Sequence, residues 1–202
     1  MRKQKISIIG HTGFIGTYLC KFFKKEKFIV KKINLRNRKI SKLSNDFFNK
    51  ILQSDVIVNA AASLNPKIKD DYYLNEVFPN NLVRANKKYK RKIIQLSTIN
   101  TLIKERQDKY SLSKKRSEFN LKKNKKNLFI LRLPLIIHTI NGRIQNKGNL
   151  SYIYRYFENV KLPIYPMIYP GHIYLPVELS HLAKTIKDIA QNKNENKIIN
   201  LK

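Results

Sequence analysis

Tyr110 and Lys114 stand four residues apart, a spacing that puts both side chains on one face of a helix. An ammonium beside a phenol lowers the phenol's pKa, so the tyrosine can pass a proton to or from a substrate oxygen near neutral pH. Of the 11 tyrosines in the chain only Tyr110 has a lysine at this spacing. Thr98, which closes an apolar run upstream, offers a hydroxyl to hold the same oxygen. In so lysine-rich a chain such a pair also arises by chance, and the position of Tyr110 after a strand ending in Thr98 gives it weight.

A second constellation lies near the start of the chain. Ile6 to Ile9 reads as a short buried strand that runs into Gly10, Gly13 and Gly16, three of the protein's six glycines, before a helical stretch from Thr17 to Phe23. In such a strand, turn and helix, Gly10 lets the chain turn, Gly13 brings bare backbone close to an anion and Gly16 lets the helix pack on the strand. The helix amides then point at a pyrophosphate. Thr12, Phe14 and Ile15 complete this cofactor-binding loop, whose spacing differs by one residue from the commoner dinucleotide fingerprint.

The elements that must position these groups alternate between strand and helix. Phe28 to Leu35 is a second strand, and the residues at its end select the cofactor: a carboxylate suits the ribose of NAD, an arginine the 2′-phosphate of NADP. The chain has Asn34, Leu35, Arg36, Asn37 and Arg38 there, so Arg36 leans the choice between NADP and NAD toward NADP. Between Lys39 and Ser54 there is room for one helix, capped by Ser44, Asn45 or Asp46, and for at most a very short third strand. Asp55 to Ser63 is a buried strand with a small-residue exit, Ala60, Ala61 and Ala62, across which a cofactor can lie. A helix follows from Asp71 to Tyr89, interrupted near Pro79, then a strand from Lys92 to Leu96 leading into Ser97 and Thr98. A helix from Tyr110 to Leu121 and a strand from Leu128 to Ile137, containing Arg132 and Pro134, complete the pattern. This alternation predicts an α/β fold with a doubly wound, mostly parallel sheet, and ligands beyond the strands' carboxyl ends. Gly10, Ala60 to Ala62, Thr98 and Pro134 all fall at those ends.

After His138 the pattern weakens. Asn149 to Val160 reads as an aromatic-rich helix, Leu162 to Gly171 holds three of the seven prolines, Val177 to Ala190 is an amphipathic helix and Lys197 to Leu201 a last strand. The 202 residues suffice for one α/β domain with a small appendage. Lysine and arginine number 42 against 13 acidic residues, a formal charge of +29 that attracts anionic partners. The charge is spread from Lys3 to Lys202, and the densest segment, Lys104 to Lys126, still carries Glu105, Asp108 and Glu118. That distribution predicts non-specific stickiness at low salt and no specific nucleic-acid site. Cys20 is the only cysteine, which points to a reducing compartment. Gly10, His11 and Thr12 break the apolar start, and no run approaches about 18 apolar residues, so a cytoplasmic protein without membrane insertion is expected. His11, His138, His172 and His181 are scattered, and no metal site is predicted.

Taken in order, Gly10-x-x-Gly13-x-x-Gly16, Asp55-Val-Ile-Val-Asn-Ala-Ala-Ala62, Leu96-Ser97-Thr98, Tyr110-Ser-Leu-Ser-Lys114 with Glu118, and Leu131-Arg132-Leu-Pro134 resemble the extended short-chain dehydrogenases/reductases, the NAD-dependent epimerase/dehydratase group. Asn75 resembles the asparagine of that group's helix after the fourth strand. The likeness covers most of residues 5 to 137 and implies a Rossmann-like NAD(P)-binding domain over 1–137, with a short C-terminal substrate-binding region over 138–202. It further implies a nucleotide-sugar substrate, of the kind used in polysaccharide synthesis, and hydride transfer in a reduction, epimerisation or dehydration. Tyr110 would be the general acid/base, and Thr98 would bond the reacting sugar oxygen. Lys114 would bind the nicotinamide ribose and tune Tyr110, and Pro134 would lie against the cofactor. Relatives often form homodimers through Rossmann-domain helices.

The chain also departs from that group. Only 11 residues separate Thr98 from Tyr110, where relatives have about twice as many. The third strand is reduced, His138 replaces a common glycine, and the C-terminal part is short. The shortened loop and C-terminal part favour a rival reading, a dinucleotide-binding protein without turnover that serves as a sensor or partner subunit, while the intact Thr98, Tyr110 and Lys114 set disfavours it. A nucleic-acid-binding protein is the third reading, and it predicts steep salt dependence and no need for Gly13.

Overall fold

Ile6 and Ile8 of the first strand contribute to one hydrophobic core and Ile9 to another. The same alternation recurs at Val56 and Val58 against Ile57, and at Phe129, Leu131 and Leu133 against Leu128 and Ile130. Strands buried on both faces need helices on both faces, which is what the chain supplies.

The computed structural model describes residues 2–36, 38–123, 127–141, 143–144, 176–192 and 198–201. Its elements run β1 (Lys5–Ile9), α1 (Phe14–Lys25), β2 (Ile29–Ile33), α2 (Asn45–Ile51), β3 (Val56–Asn59), α3 (Lys69–Tyr72), α4 (Phe78–Tyr89), β4 (Lys92–Thr98), α5 (Lys109–Leu121) and β5 (Leu128–Leu133). Short strands β6 (Ile136–Ile137), β7 (Thr139–Ile140), β8 (Arg143–Ile144) and β9 (Val177–Glu178) precede α6 (Leu179–Gln191) and β10 (Ile198–Asn200). Six strands form one sheet in the order β10-β5-β4-β3-β1-β2, and every pairing in it is parallel. One core packs Leu19, Cys20 and Phe23 of α1 with Leu182, Ala183 and Ile186 of α6; the other holds Phe48 and Ile51 of α2 with Phe78 and Leu82 of α4. Each fully buried side chain of this size contributes on the order of 1.5–3 kcal/mol. This is the Rossmann-like, doubly wound arrangement that the alternation predicted.

Three details differ from expectation. Helix α1 begins at Phe14, three residues earlier, because Gly13 occupies the capping position. The break expected at Pro79 lies before it, in a π-helical stretch from Tyr73 to Val77. Proline offers no N–H and crowds the preceding turn, and the wider turn, with the Phe78 N–H donating to the Tyr73 carbonyl, accommodates it. The strand expected from Leu128 to Ile137 is divided at Pro134, and β6 pairs with β9 in a separate two-stranded sheet. Between β2 and α2 the described residues contain a 3₁₀ turn (Ile40–Lys42) and no strand. The cap of α2 is Ser44, whose hydroxyl accepts from the Phe47 N–H at 3.3 Å. The helix expected at Asn149 to Val160 and the proline-rich stretch after it lie outside the described residues.

Candidate active site

The turn from β1 into α1 is pressed against the exit of β3. Gly10 has φ +80°, and a Cβ there would stand 2.7 Å from the backbone nitrogen of Ala61. A Cβ on Gly16 would run into the Gly10 carbonyl oxygen, so both positions require glycine. Gly13 differs: the nearest atom to a Cβ there is the Gly10 carbonyl oxygen at 3.4 Å, which leaves its outer side open to an approaching group. The first-turn amides of α1 have no partners within the helix, and no acidic residue occupies that turn. An anion placed there is stabilised by the helix dipole as well as by the amides. His11 Nδ1 lies 3.1 Å from the Ile33 carbonyl oxygen and Thr17 Oγ1 donates to the His11 carbonyl at 3.0 Å, which fixes the β1–α1 loop against β2 and the first turn of α1. Beyond β2, Asn34 Oδ1 accepts from the Arg36 N–H at 2.8 Å, and the Arg36 side chain is exposed.

The second half of the site is α5 lying against the carboxyl end of β4. Asp108 caps the helix, accepting from the Ser111 N–H at 2.9 Å and the Ser111 hydroxyl at 2.7 Å. Lys114 is 2% exposed; its Nζ donates to the Leu96 carbonyl at 3.3 Å and lies 5.8 Å from the centre of the Tyr110 ring. Thr98 follows two residues later in β4, and its Oγ1 accepts from the Asn100 N–H at 3.3 Å. Lys114 thus lies beside both the Tyr110 ring and the Leu96 carbonyl of β4, two residues before Thr98.

The electrostatics correct the sequence reading. Tyr110 was expected to have a lowered pKa; its phenol is instead pushed up to about 12, first by burial and then by the neighbouring Asp108 carboxylate. Burial lowers Lys114 to about 8, with Glu118 acting in the opposite direction. At neutral pH the pair is a protonated phenol beside an ammonium.

A polar ladder of residues distant in the chain joins these parts. Asn59 Nδ2 donates to Gln95 Oε1 at 2.8 Å, Asn59 Oδ1 accepts from the Ala61 N–H at 3.2 Å, and Gln95 Nε2 donates to the Leu96 carbonyl at 2.8 Å. Asn75, in the π-helical stretch, donates to the Ser63 carbonyl and to Ser113 Oγ and accepts from the Ser63 N–H, all within 3.0 Å. It thereby ties the chain after Ala60, Ala61 and Ala62 to α5. Among the described residues no cluster of His, Cys, Asp and Glu has the makings of a metal site.

The profile of the NAD dependent epimerase/dehydratase family matches residues 6–124, and the chain belongs to that family. No curated protein matches it significantly. Among solved structures it is similar to a dTDP-4-dehydrorhamnose reductase from Bacillus anthracis in complex with NADP, at 16% identity and a TM-score of 0.71 over 100% of this chain and 75% of that one. It is also similar to the Bordetella bronchiseptica enzyme WbmH in complex with NAD+ (16% identity, TM-score 0.72, 99% and 76% covered). A third is a UDP-glucose 4-epimerase from Thermotoga maritima with UDP-glucose (15%, 0.70, 98% and 76%). At these identities the likeness is one of fold. Among the described residues no helix is long and apolar enough to cross a membrane.

Proposed function

We propose that the protein is an NAD(P)-dependent enzyme acting on a nucleotide-linked sugar. The observation that carries this reading is that Lys114, directly beside Tyr110, is bonded to the end of β4, at the same sheet edge as the open Gly13 turn. The α1 amides and Gly13 fit a pyrophosphate, and the exposed Arg36, with no carboxylate near it in sequence, suits a 2′-phosphate. When bound, the dinucleotide supplies or accepts a hydride at a sugar carbon, as in keto-sugar reduction, epimerisation or dehydration. Tyr110, protonated at neutral pH, gives a proton to the reacting oxygen; Thr98 bonds the same oxygen, and Lys114 holds the nicotinamide ribose through its ammonium. Ala60, Ala61, Ala62 and Pro134 form the apolar bed beneath the cofactor, and residues 138–202 provide the sugar-nucleotide contacts. The solved relatives with NADP, NAD+ or UDP-glucose support this choice of ligand class. The unpaired, buried Cys20 fits a reducing, cytoplasmic setting, and α4 with α5 is the face for pairing two copies.

The test is titration with NADPH and NADH followed by nicotinamide fluorescence, with Gly13→Asp as control. Saturable binding lost in Gly13→Asp is expected; binding of neither dinucleotide overturns the reading. Binding without turnover across a nucleotide-sugar panel would select the non-catalytic alternative, which the 11-residue connection between Thr98 and Tyr110 favours.

A further inference from the structure

Among the described residues only three charged side chains are buried, Lys114, Glu118 and Arg132, and Glu118 links the other two: it is ion-paired with Arg132, and its charge acts on Lys114. A buried charge is costly unless paired, so two cations and one carboxylate gathered beside the candidate active site call for an account. Glu118 lies one helical turn beyond Lys114 on α5. Its Oε1 accepts from Ser97 Oγ at 2.6 Å and from Arg132 Nε at 3.1 Å, and its Oε2 accepts from Arg132 Nε at 3.0 Å and Nη2 at 2.6 Å. Thr101 Oγ1 stands 3.1 Å from Oε1 and 2.9 Å from the Thr98 carbonyl oxygen, and its single proton serves one of them at a time. Ser97 and Arg132 are paired in register across β4 and β5. Every donor to Glu118 thus comes from the strand ends and turn around Thr98, while Glu118 itself rides on the helix of Tyr110 and Lys114.

We propose that Glu118, clamped by Arg132, is a positioning residue that ties the Thr98 turn to α5 and balances the Arg132 charge beside the Lys114 ammonium. This rests on the dinucleotide-dependent reading above. An apolar pair of the same volume would hold the helix equally well, so what the ion pair adds is its field at Lys114. Without the Glu118 charge, Lys114 faces an unbalanced guanidinium and loses its proton more readily. Without Arg132, Lys114 faces an unbalanced carboxylate and keeps its proton longer. The other charged groups nearby are Asp108, Lys115, Arg116 and Lys122 of α5 and its cap, and Glu76 of the π-helical stretch, which lies 3.4 Å from Arg116. With Glu118 and Arg132, all of these except Asp108 line a cavity of about 520 Å³. On β4, Gln95 shares the Leu96 carbonyl with Lys114 and Ser97 bonds Glu118, and neither carries a charge.

The test follows the Lys114 side chain directly, by NMR of protein labelled with ¹³Cε-lysine, the signal being assigned by its loss in Lys114→Met. In the unaltered protein its midpoint is expected at about pH 8. Glu118→Gln is expected to lower the midpoint by about one pH unit and Arg132→Gln to raise it by a similar amount, roughly a tenfold change in proton affinity each way. Midpoints that stay put in the two variants, or move the same way, overturn the proposal. NADPH fluorescence on the same samples separates the two ideas: opposite shifts with no dinucleotide binding in the unaltered protein would overturn the enzyme reading and leave the charge balance standing.

Discussion

The Lys114 ammonium and the Gln95 carboxamide donate to one acceptor, the Leu96 carbonyl oxygen, at 3.3 and 2.8 Å. A buried ammonium that shares an uncharged acceptor is poorly solvated, and its pKa falls to about 8 from 10.5. Folded protein therefore gives up this proton before the unfolded chain does.

That ordering has a definite sign. Between about pH 8 and 10.5 the unfolded state binds more protons at Lys114, so stability rises with pH across that window. Relative to Lys114→Met, the unaltered protein should gain on the order of 3 kcal/mol from pH 8 to 10.5 in urea-unfolding measurements. A flat difference over that range would contradict the burial of a charged Lys114. Tyr110 acts with the opposite sign: its raised pKa stabilises the fold below about pH 10, and the benefit is lost by about pH 12.

Tyr110→Phe keeps the ring and removes the hydroxyl. Turnover is expected to fall by about 10²-fold or more, the usual worth of a positioned acid, while dinucleotide affinity stays within about twofold. The check is steady-state rate on an active nucleotide sugar alongside fluorescence titration. Unchanged turnover would remove Tyr110 from its proposed role.

Arg36→Ala addresses the cofactor. Arg38 is already engaged, giving its Nε–H to the Asn34 carbonyl at 3.0 Å and stacking its guanidinium 5.0 Å from the Phe47 ring centre. Arg36 has the freer side chain, so its loss should weaken NADPH roughly tenfold and leave NADH untouched. Equal effects on the two dinucleotides would show the arginine to be incidental.

Lys92→Met probes stability away from the site. Lys92 Nζ donates to the carbonyls of Ile189, Ala190 and Asn192 at the end of α6, and burial lowers its pKa. Removing it leaves these helix-end carbonyls without their cation, at a cost of about 1–2 kcal/mol read as a lower urea midpoint. Dinucleotide affinity of the folded fraction should be unaffected.

What was legible in the sequence was local or periodic. Runs such as Val56 to Val58 and Leu128 to Leu133 announce strands buried on both faces, and the Gly10, Gly13 and Gly16 spacing marks the turn where two positions tolerate no Cβ. The four-residue step from Tyr110 to Lys114 brings their side chains together on α5. What escaped depends on partners far apart in the chain. Asn59 meets Gln95, 36 residues on, and Asn75 meets Ser113, 38 residues on, so neither bond leaves a spacing to recognise. The phenol pKa is not legible in the sequence, because a nearby lysine can be counted there, whereas burial and the Asp108 field exist only in the fold. The π-helical stretch escaped because its i→i+5 bonding has no residue signature beyond the proline that follows it.

Among the described residues β2 is the last strand on its side of the sheet, and such an outer edge is a template on which another chain could add. Lys31 and Lys32 stand on opposite faces of this edge, Lys31 anchored to the Lys50 carbonyl and Lys32 exposed. An incoming strand would have to bring its own backbone past two ammonium groups, on a molecule already carrying a formal charge of +29. A formal charge of that size opposes the approach of a second copy to this open edge.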